Sequence, residues 1–291
     1  MIGIFAGIHF RQKGDFKMKS IKDALNEGRN LLKDITNIPQ KEAMILALNI
    51  LKKDQSYLFL HENDKFEKYD EFISFVRRRA NGEPVEYITK QVSFYGENFF
   101  IDKGALIPRP ETEILIDETI KNINKTGIKY PTIAEIGTGS GIISIILSLK
   151  LPNVKIIATD ISKDALKIAK KNIEIFDLQK NITLVNTSYL DGVNNDIDII
   201  VSNPPYVSNG FKVAKPLYYE PKEAIFGGEN GDEVLLDIVK LAKKRKVIFL
   251  ACEMGYDQKE KMTNILTQEK FKNFYFYKDL AMLERGFVGY I

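Results

Sequence analysis

Two short stretches hold residue types that can do chemistry, at a spacing that needs explaining. "VSNPPYVSN" at 201–209 continues the run "DIDIIVSN", in which Ile197, Ile199, Ile200 and Val201 read as a buried strand. That strand stops at Asn203-Pro204-Pro205-Tyr206. Two prolines end a ladder because neither has an N–H to donate. A strand stop does not, however, call for an amide on one side and an aromatic on the other. An Asn oxygen and the adjoining backbone carbonyl offer two acceptors to an incoming NH2 group, and Tyr206 offers a flat face to a planar one. The second stretch, "EIGTGSGI" at 135–142, ends another apolar strand with Glu135, Gly137, Gly139 and Gly141. Glycines let a backbone turn sharply and approach a ligand closely. Their spacing, Gly-x-Gly-x-Gly, departs from the Gly-x-Gly-x-x-Gly of a nicotinamide site. The next strand ends in Asp160, 19 residues past Gly141, where a carboxylate can accept from both ribose hydroxyls. The glycines and Asp160 thus place an adenosine-type ligand without naming it. Asn-Pro-Pro-Tyr decides between the candidates. Hydride transfer has no use for paired acceptors beside an aromatic, whereas methyl transfer to a planar, weakly nucleophilic nitrogen does.

Such loops need a sheet to hold them. After Pro131 strand and helix patterns alternate: "TIAEI", a helix from about Gly141 to Lys150, "VKIIATD", a helix over 162–177, "NITLVNT", "DIDIIVSN", a helix over 231–244, "KVIFLACE", a helix over 257–270, "NFYFY" and "GFVGYI". This predicts an α/β fold, a doubly wound and mostly parallel sheet of seven strands. Eight residues, "KDLAMLER", separate the last two strands. That is too few for a parallel crossover, so the last strand is expected to run antiparallel. Upstream, "VSFYGENFFID" alternates around Gly96 as a β-hairpin does, and "LIPRPETEILIDETI" passes from a proline-rich loop into a helix. From Met18 to about Lys90 the pattern is that of a small helical bundle. Ile21, Leu25, Leu31, Leu32 and Ile35 form one apolar face, Pro39 opens a second helix, and Asn81-Gly82 closes the last one. Arg77-Arg78-Arg79 reads as a solvated face. Residues 1–17 look foreign to the rest of the chain and lack the basic start of a signal peptide, so Met18 is the expected natural start. The expected organisation is a tail over 1–17, a helical domain over 18–90, a hairpin and linker over 91–110 and a catalytic domain over 111–291.

Composition narrows the classes. Hydrophobic residues make up 44% and charged residues 28% of the 291, ordinary values for a soluble globular protein. No apolar run approaches the ~20 residues of a membrane span. The single cysteine, Cys252, excludes an internal disulfide, and neither His9 nor His61 sits among other ligand types. No metal site is therefore expected, and a reducing, cytoplasmic setting is the default.

The residues quoted so far, with "LIPRPETE" at 106–113, "EP" at 220–221, "GGENGD" at 227–232, "CEMGYDQ" at 252–258 and "KDL…ERGFVG" at 278–289, resemble the protein-(glutamine-N5) methyltransferases that modify the GGQ glutamine of peptide chain release factors. The resemblance runs from about Met18 to Ile291. It implies an S-adenosylmethionine-dependent, Rossmann-like methyltransferase domain, S-adenosylhomocysteine as product, no metal, and a helical N-terminal domain that recognises the protein substrate. It also implies roles. Gly137, Thr138, Gly139, Ser140 and Gly141 would cradle the methionine part of the cofactor, Glu135 would hold its amino group directly or through water, and Asp160 would take the ribose. Ser188 and Tyr189 would border the adenine, where many relatives carry an acid followed by an aromatic. Asn203 would border the cofactor as well as the substrate. Asn203 and the Pro204 carbonyl would accept the two N–H bonds of the glutamine amide, Tyr206 would pack on its plane, and Pro205 would keep the loop rigid.

Two other readings compete. One is an amino-methyltransferase acting on another glutamine, such as one in a ribosomal protein, or on DNA or RNA bases. Residues 91–291 hold 26 basic and 26 acidic side chains, a poor surface for phosphates, so no direct nucleic acid contact is expected. The other is a non-catalytic cofactor-binding module, against which the intact Asn-Pro-Pro-Tyr argues.

Overall fold

The computed structural model describes residues 19–291, so the expected tail and the Met18 start lie outside the described residues. The chain divides into two compact units, one ending at Ile88 and the other running Thr89–Ile291.

The first unit is helical. Helix α1 (Ile21–Leu32) starts at Ser20, whose hydroxyl accepts from the Asp23 N–H and so satisfies one of the free N–H groups of the first turn. Helix α2 (Pro39–Leu51) opens on proline, α3 (Gln55–Leu60) is capped by Asp54, and α4 (Tyr69–Ala80) and α5 (Val85–Thr89) follow. Leu32, Leu46, Phe66, Phe72 and Val76 build the core. Two expectations need correction. Leu31 and Ile35 are exposed, and the buried stripe of α1 is instead Ile21, Ala24, Leu25, Gly28 and Leu32. At 100° per residue Leu31 falls off that stripe, and Ile35 lies past the helix end. Nor is the arginine run a solvated face throughout. Arg79 is buried and forks onto Glu42, with Nε to Oε2 at 2.7 Å and Nη2 to Oε1 at 3.2 Å.

The second unit begins with a hairpin of β1 (Gln91–Phe94) and β2 (Glu97–Phe100). Its two-residue turn puts Tyr95 and Gly96 both at positive φ, as a tight hairpin turn requires. The rest alternates: α6 (Thr112–Thr126), β3 (Thr132–Ile136), α7 (Ile142–Lys150), β4 (Lys155–Asp160), α8 (Lys163–Ile175), β5 (Ile182–Asn186), β6 (Ile199–Ser202), α9 (Glu233–Arg245), β7 (Phe249–Glu253), α10 (Lys259–Gln268), β8 (Asn273–Lys278) and β9 (Glu284–Tyr290). The seven strands lie in the order β5-β4-β3-β6-β7-β9-β8. β3 to β7 are mutually parallel, and β9 runs antiparallel to both β7 and β8. The sheet is thus the mostly parallel, seven-stranded one expected, with its last strand reversed. Alternate residues feed two cores. Ile133, Ile199, Val201 and Phe249 join one, and Ala134, Ile200, Leu250 and Cys252 the other. Strands buried on both faces explain the near-continuous apolar runs of the sequence. β3 is followed by β4 on one side and flanked by β6 on the other. This reversal of order opens a crevice at the carboxyl ends of β3 and β6, the usual ligand position in such sheets.

Candidate active site

A cavity of about 340 Å³ occupies that crevice. The register explains its membership. Ile136, the last residue of β3, pairs with Ser202 at the end of β6 and with Thr159 of β4. The glycine loop, Asn203 and Asp160 therefore leave the sheet side by side. The Ser202 hydroxyl donates to the Ile136 carbonyl at 2.7 Å, and the N–H groups of Gly137 and Thr138 both donate to the Thr159 carbonyl at 2.9 Å.

Gly137, Thr138, Gly139 and Ser140 line the cavity. Gly137 and Gly139 have φ of +71° and +55°, and a Cβ on either would meet nothing within 4 Å. Their conformation and the open space beside them form a cradle that side chains would fill. Gly141 is placed differently. It heads α7 and faces Ala169, outside the cavity lining. Glu135 is also absent from the lining and is fully buried. Its Oε2 accepts from the hydroxyls of Thr138 and Ser144 and from the Ser144 N–H, while Oε1 has no partner. Burial outweighs those bonds and pushes this carboxyl up to about 7.

Asp160 lies on the cavity wall, and both its oxygens are engaged by backbone. Oδ2 accepts from the Gly139 N–H and Oδ1 from the Ser162 N–H, each at 2.8 Å. Burial still raises its carboxyl above the ordinary range. Each oxygen retains acceptor capacity, so Asp160 can tie the glycine loop and still receive ribose hydroxyls. Ser188 and Tyr189 line the cavity too. Tyr189 is anchored by its hydroxyl, which donates to Asp237 at 2.9 Å, and its phenol is pushed up to about 12 by burial and that carboxylate.

Asn203, Pro204 and Pro205 complete the wall; Tyr206 is not among the lining residues. Asn203 Nδ2 donates to Thr112 Oγ1 at 2.9 Å, Thr112 Oγ1 donates to Glu253 Oε2 at 2.8 Å, and the Tyr206 hydroxyl donates to Glu253 Oε1 at 3.2 Å. Thr112, which lines the cavity, and Glu253 behind it are site residues that lie within the sequence motifs but drew no role from them. Glu253 carried a signal, since it ends an otherwise apolar strand, as Glu135 does. The loop is also held from behind. Gln258 Nε2 donates to the carbonyls of Tyr206 and Gly231, and the N–H of Gly227 donates to the Val207 carbonyl. Arg109 forms an ion pair with buried Glu220 at 2.6 Å, and Glu220 also accepts from the Ile107 N–H at 2.9 Å. The proline-rich loop is fixed this way as a second cavity wall.

The sheet order, with the glycine loop and Asn203 at its crevice, fits a methyltransferase. Residues 23–89 match the PrmC N-terminal domain and residues 111–220 the methyltransferase small domain. The chain is 33% identical over 277 residues to a release factor glutamine methyltransferase of Coxiella burnetii, covering 94% of this chain and 99% of that one. It is 35% identical over 294 residues to a bifunctional methyltransferase of Rickettsia typhi, covering 91% of this chain but only 56% of that longer protein. The chain belongs to the release factor glutamine methyltransferase family. Among solved structures, the hMettl16 catalytic domain in complex with MAT2A 3'UTR hairpin 6 superposes with a TM-score of 0.52 at 20% identity, covering 66% of this chain and 75% of that one. At that identity the likeness speaks for the fold. Among the described residues no helix is long and apolar enough to cross a membrane.

Proposed function

We propose that this protein methylates the side-chain amide nitrogen of the GGQ glutamine of peptide chain release factors, with S-adenosylmethionine as the methyl source. The observation that carries the reading is the orientation of Asn203. Its Nδ2 is committed to Thr112, which leaves Oδ1 to accept from a ligand. A glutamine amide brings two N–H donors, and Asn203 Oδ1 and the Pro204 carbonyl are the matching acceptors. An amide nitrogen shares its lone pair with its carbonyl and attacks poorly. Bonds to its hydrogens strengthen as it becomes positive, so these acceptors stabilise the transition state more than the ground state. They also aim the nitrogen. Pro205 stiffens the loop, and Tyr206 supports it from behind through Glu253. No histidine lines the cavity, and the departing proton is left to solvent.

The residues present fit S-adenosylmethionine. The partnerless, buried Glu135 Oε1 calls for a cationic donor, and an amino group reaching it through a water suits its place outside the cavity lining. The Gly137–Ser140 cradle takes the methionine part, Asp160 the ribose, and Tyr189 the adenine, with exposed Ser188 beside it. When bound, the cofactor supplies a methyl on a positively charged sulfur, an electrophile that a neutral nitrogen can attack. The test is intact mass of a purified release factor after incubation with the protein and S-adenosylmethionine. A gain of one methyl mapped to the GGQ glutamine is expected. Methyl transfer to a different glutamine, or none, would overturn the reading.

A further inference from the structure

Glu253 is a buried acid with no part in the methyl transfer derived so far, yet it sits two hydrogen bonds from Asn203. Thr112 has a single hydroxyl proton. Given to a carboxylate, which only accepts, that proton cannot also go to Asn203, so Thr112 Oγ1 must accept from Asn203 Nδ2. This is the arrangement found. The direction in which the Asn203 amide points is therefore set from Glu253. Resting on the glutamine-amide reading, we propose that ionised Glu253 is a positioning residue: through Thr112 it holds Asn203 Oδ1 toward the substrate amide, and protonation of Glu253 frees the Asn203 amide to turn over and present its NH2 instead.

The surroundings make both forms accessible. Glu253 ends β7 and is almost wholly buried. Thr112 at the start of α6 and Tyr206 after β6 donate to it, and the Arg285 guanidinium of β9 favours its anion. Glu111 opposes the anion, and the neutral Cys252 thiol and Tyr277 phenol lie in its field. Burial dominates, and the carboxyl is pushed up to about 7. Above that pH the carboxylate enforces the chain of bonds. Below it the acid can donate to Thr112 Oγ1. The hydroxyl proton then swings to Asn203, which accepts it only through Oδ1, after a half-turn of the amide. Two NH2 groups would then face each other across the site.

Three measurements test this. With S-adenosylmethionine saturating at every pH, turnover of the wild type on a release factor should fall as pH drops through about 7, with the KM for the release factor little changed, and Glu253→Gln should give a low, pH-flat profile. Thr112→Val should cut turnover about ten- to a hundredfold, with Thr112→Ser restoring it. A reversal of polarity gives a rescue. Asn203→Asp alone aims two carboxylates at one hydroxyl. Adding Glu253→Gln, whose NH2 donates to Thr112, releases the hydroxyl to the introduced carboxylate, so the double variant should be the more active of the two. A readout without turnover is the side-chain 15N–1H resonance of Asn203, assigned by its loss in Asn203→Ala. It should titrate in the wild type and stay fixed in Glu253→Gln. A resonance that ignores pH, or a double variant no better than Asn203→Asp, overturns the relay. If the wild type leaves the release factor unmethylated, the substrate reading fails, and the Asn203 resonance still decides the relay.

Discussion

Asn203 is held by its nitrogen and offers its oxygen, so truncation should separate chemistry from binding. Asn203→Ala is expected to keep the fold and most of the S-adenosylmethionine affinity while cutting turnover roughly a hundred- to a thousandfold, the usual cost of one positioned polar partner. Near-wild-type turnover with cofactor binding intact would remove Asn203 from the chemistry. Glu135 poses a different question, because its buried Oε1 has no partner among the described residues. Its carboxyl ionises at about 7 in the free protein, so at pH 6 it is mostly protonated. A nearby ammonium group favours the anion and lowers that value. Binding should therefore release a proton below pH 7, and affinity should rise with pH up to about 7 and then level off. Calorimetry in buffers of different ionisation enthalpy counts that proton. Glu135→Gln should bind more weakly, with neither the proton release nor the pH dependence.

At the scale of elements, the sequence shows most clearly what depends on local pattern. Strands buried on both faces left continuous apolar runs, and the five residues between β8 and β9 leave no room for a crossover. The glycine loop and Asn203 were legible because each breaks its strand with residues that a plain turn does not need. Thr112 and Glu253 were not, because their bond joins residues 141 positions apart and only the sheet order makes them neighbours. The same limit hid Arg79. Its place in a charged run pointed to solvent, but the packing of α2 against α4 supplies Glu42, 37 residues away. That pair gives an element-scale prediction. Arg79→Met leaves the Glu42 carboxylate buried without its partner, a loss of about 3–5 kcal/mol. Thermal melting should show the helical unit unfolding earlier, and Glu42→Leu in the same chain should recover most of the loss. An unchanged melt would mean that the pair is solvated in solution.

At the scale of the whole molecule, the proposed function divides the task between the two units, and their charge bears on how. Residues 18–90 carry 13 basic and 12 acidic side chains, and residues 91–291 carry 26 of each. Neither part carries a net charge that would attract a partner at long range, so on the proposed function capture of a protein substrate is expected to depend only weakly on salt. The cavity and every residue assigned to cofactor or amide belong to the second unit, which has two apolar cores of its own. On the proposed function, the task left for the helical unit is to hold the body of the release factor while its glutamine occupies the cavity. A fragment running Thr89–Ile291 tests that division. It should bind S-adenosylmethionine with the affinity of the full chain, and it should methylate a short GGQ peptide, which needs only the cavity, at a similar rate. On an intact release factor its kcat/KM should fall about a hundredfold, the lower end of what a second linked contact contributes, with the loss in KM. Equal activity of fragment and full chain on the intact protein would assign the helical unit another task. Equal loss on peptide and protein would mean that the unit supports the cavity itself.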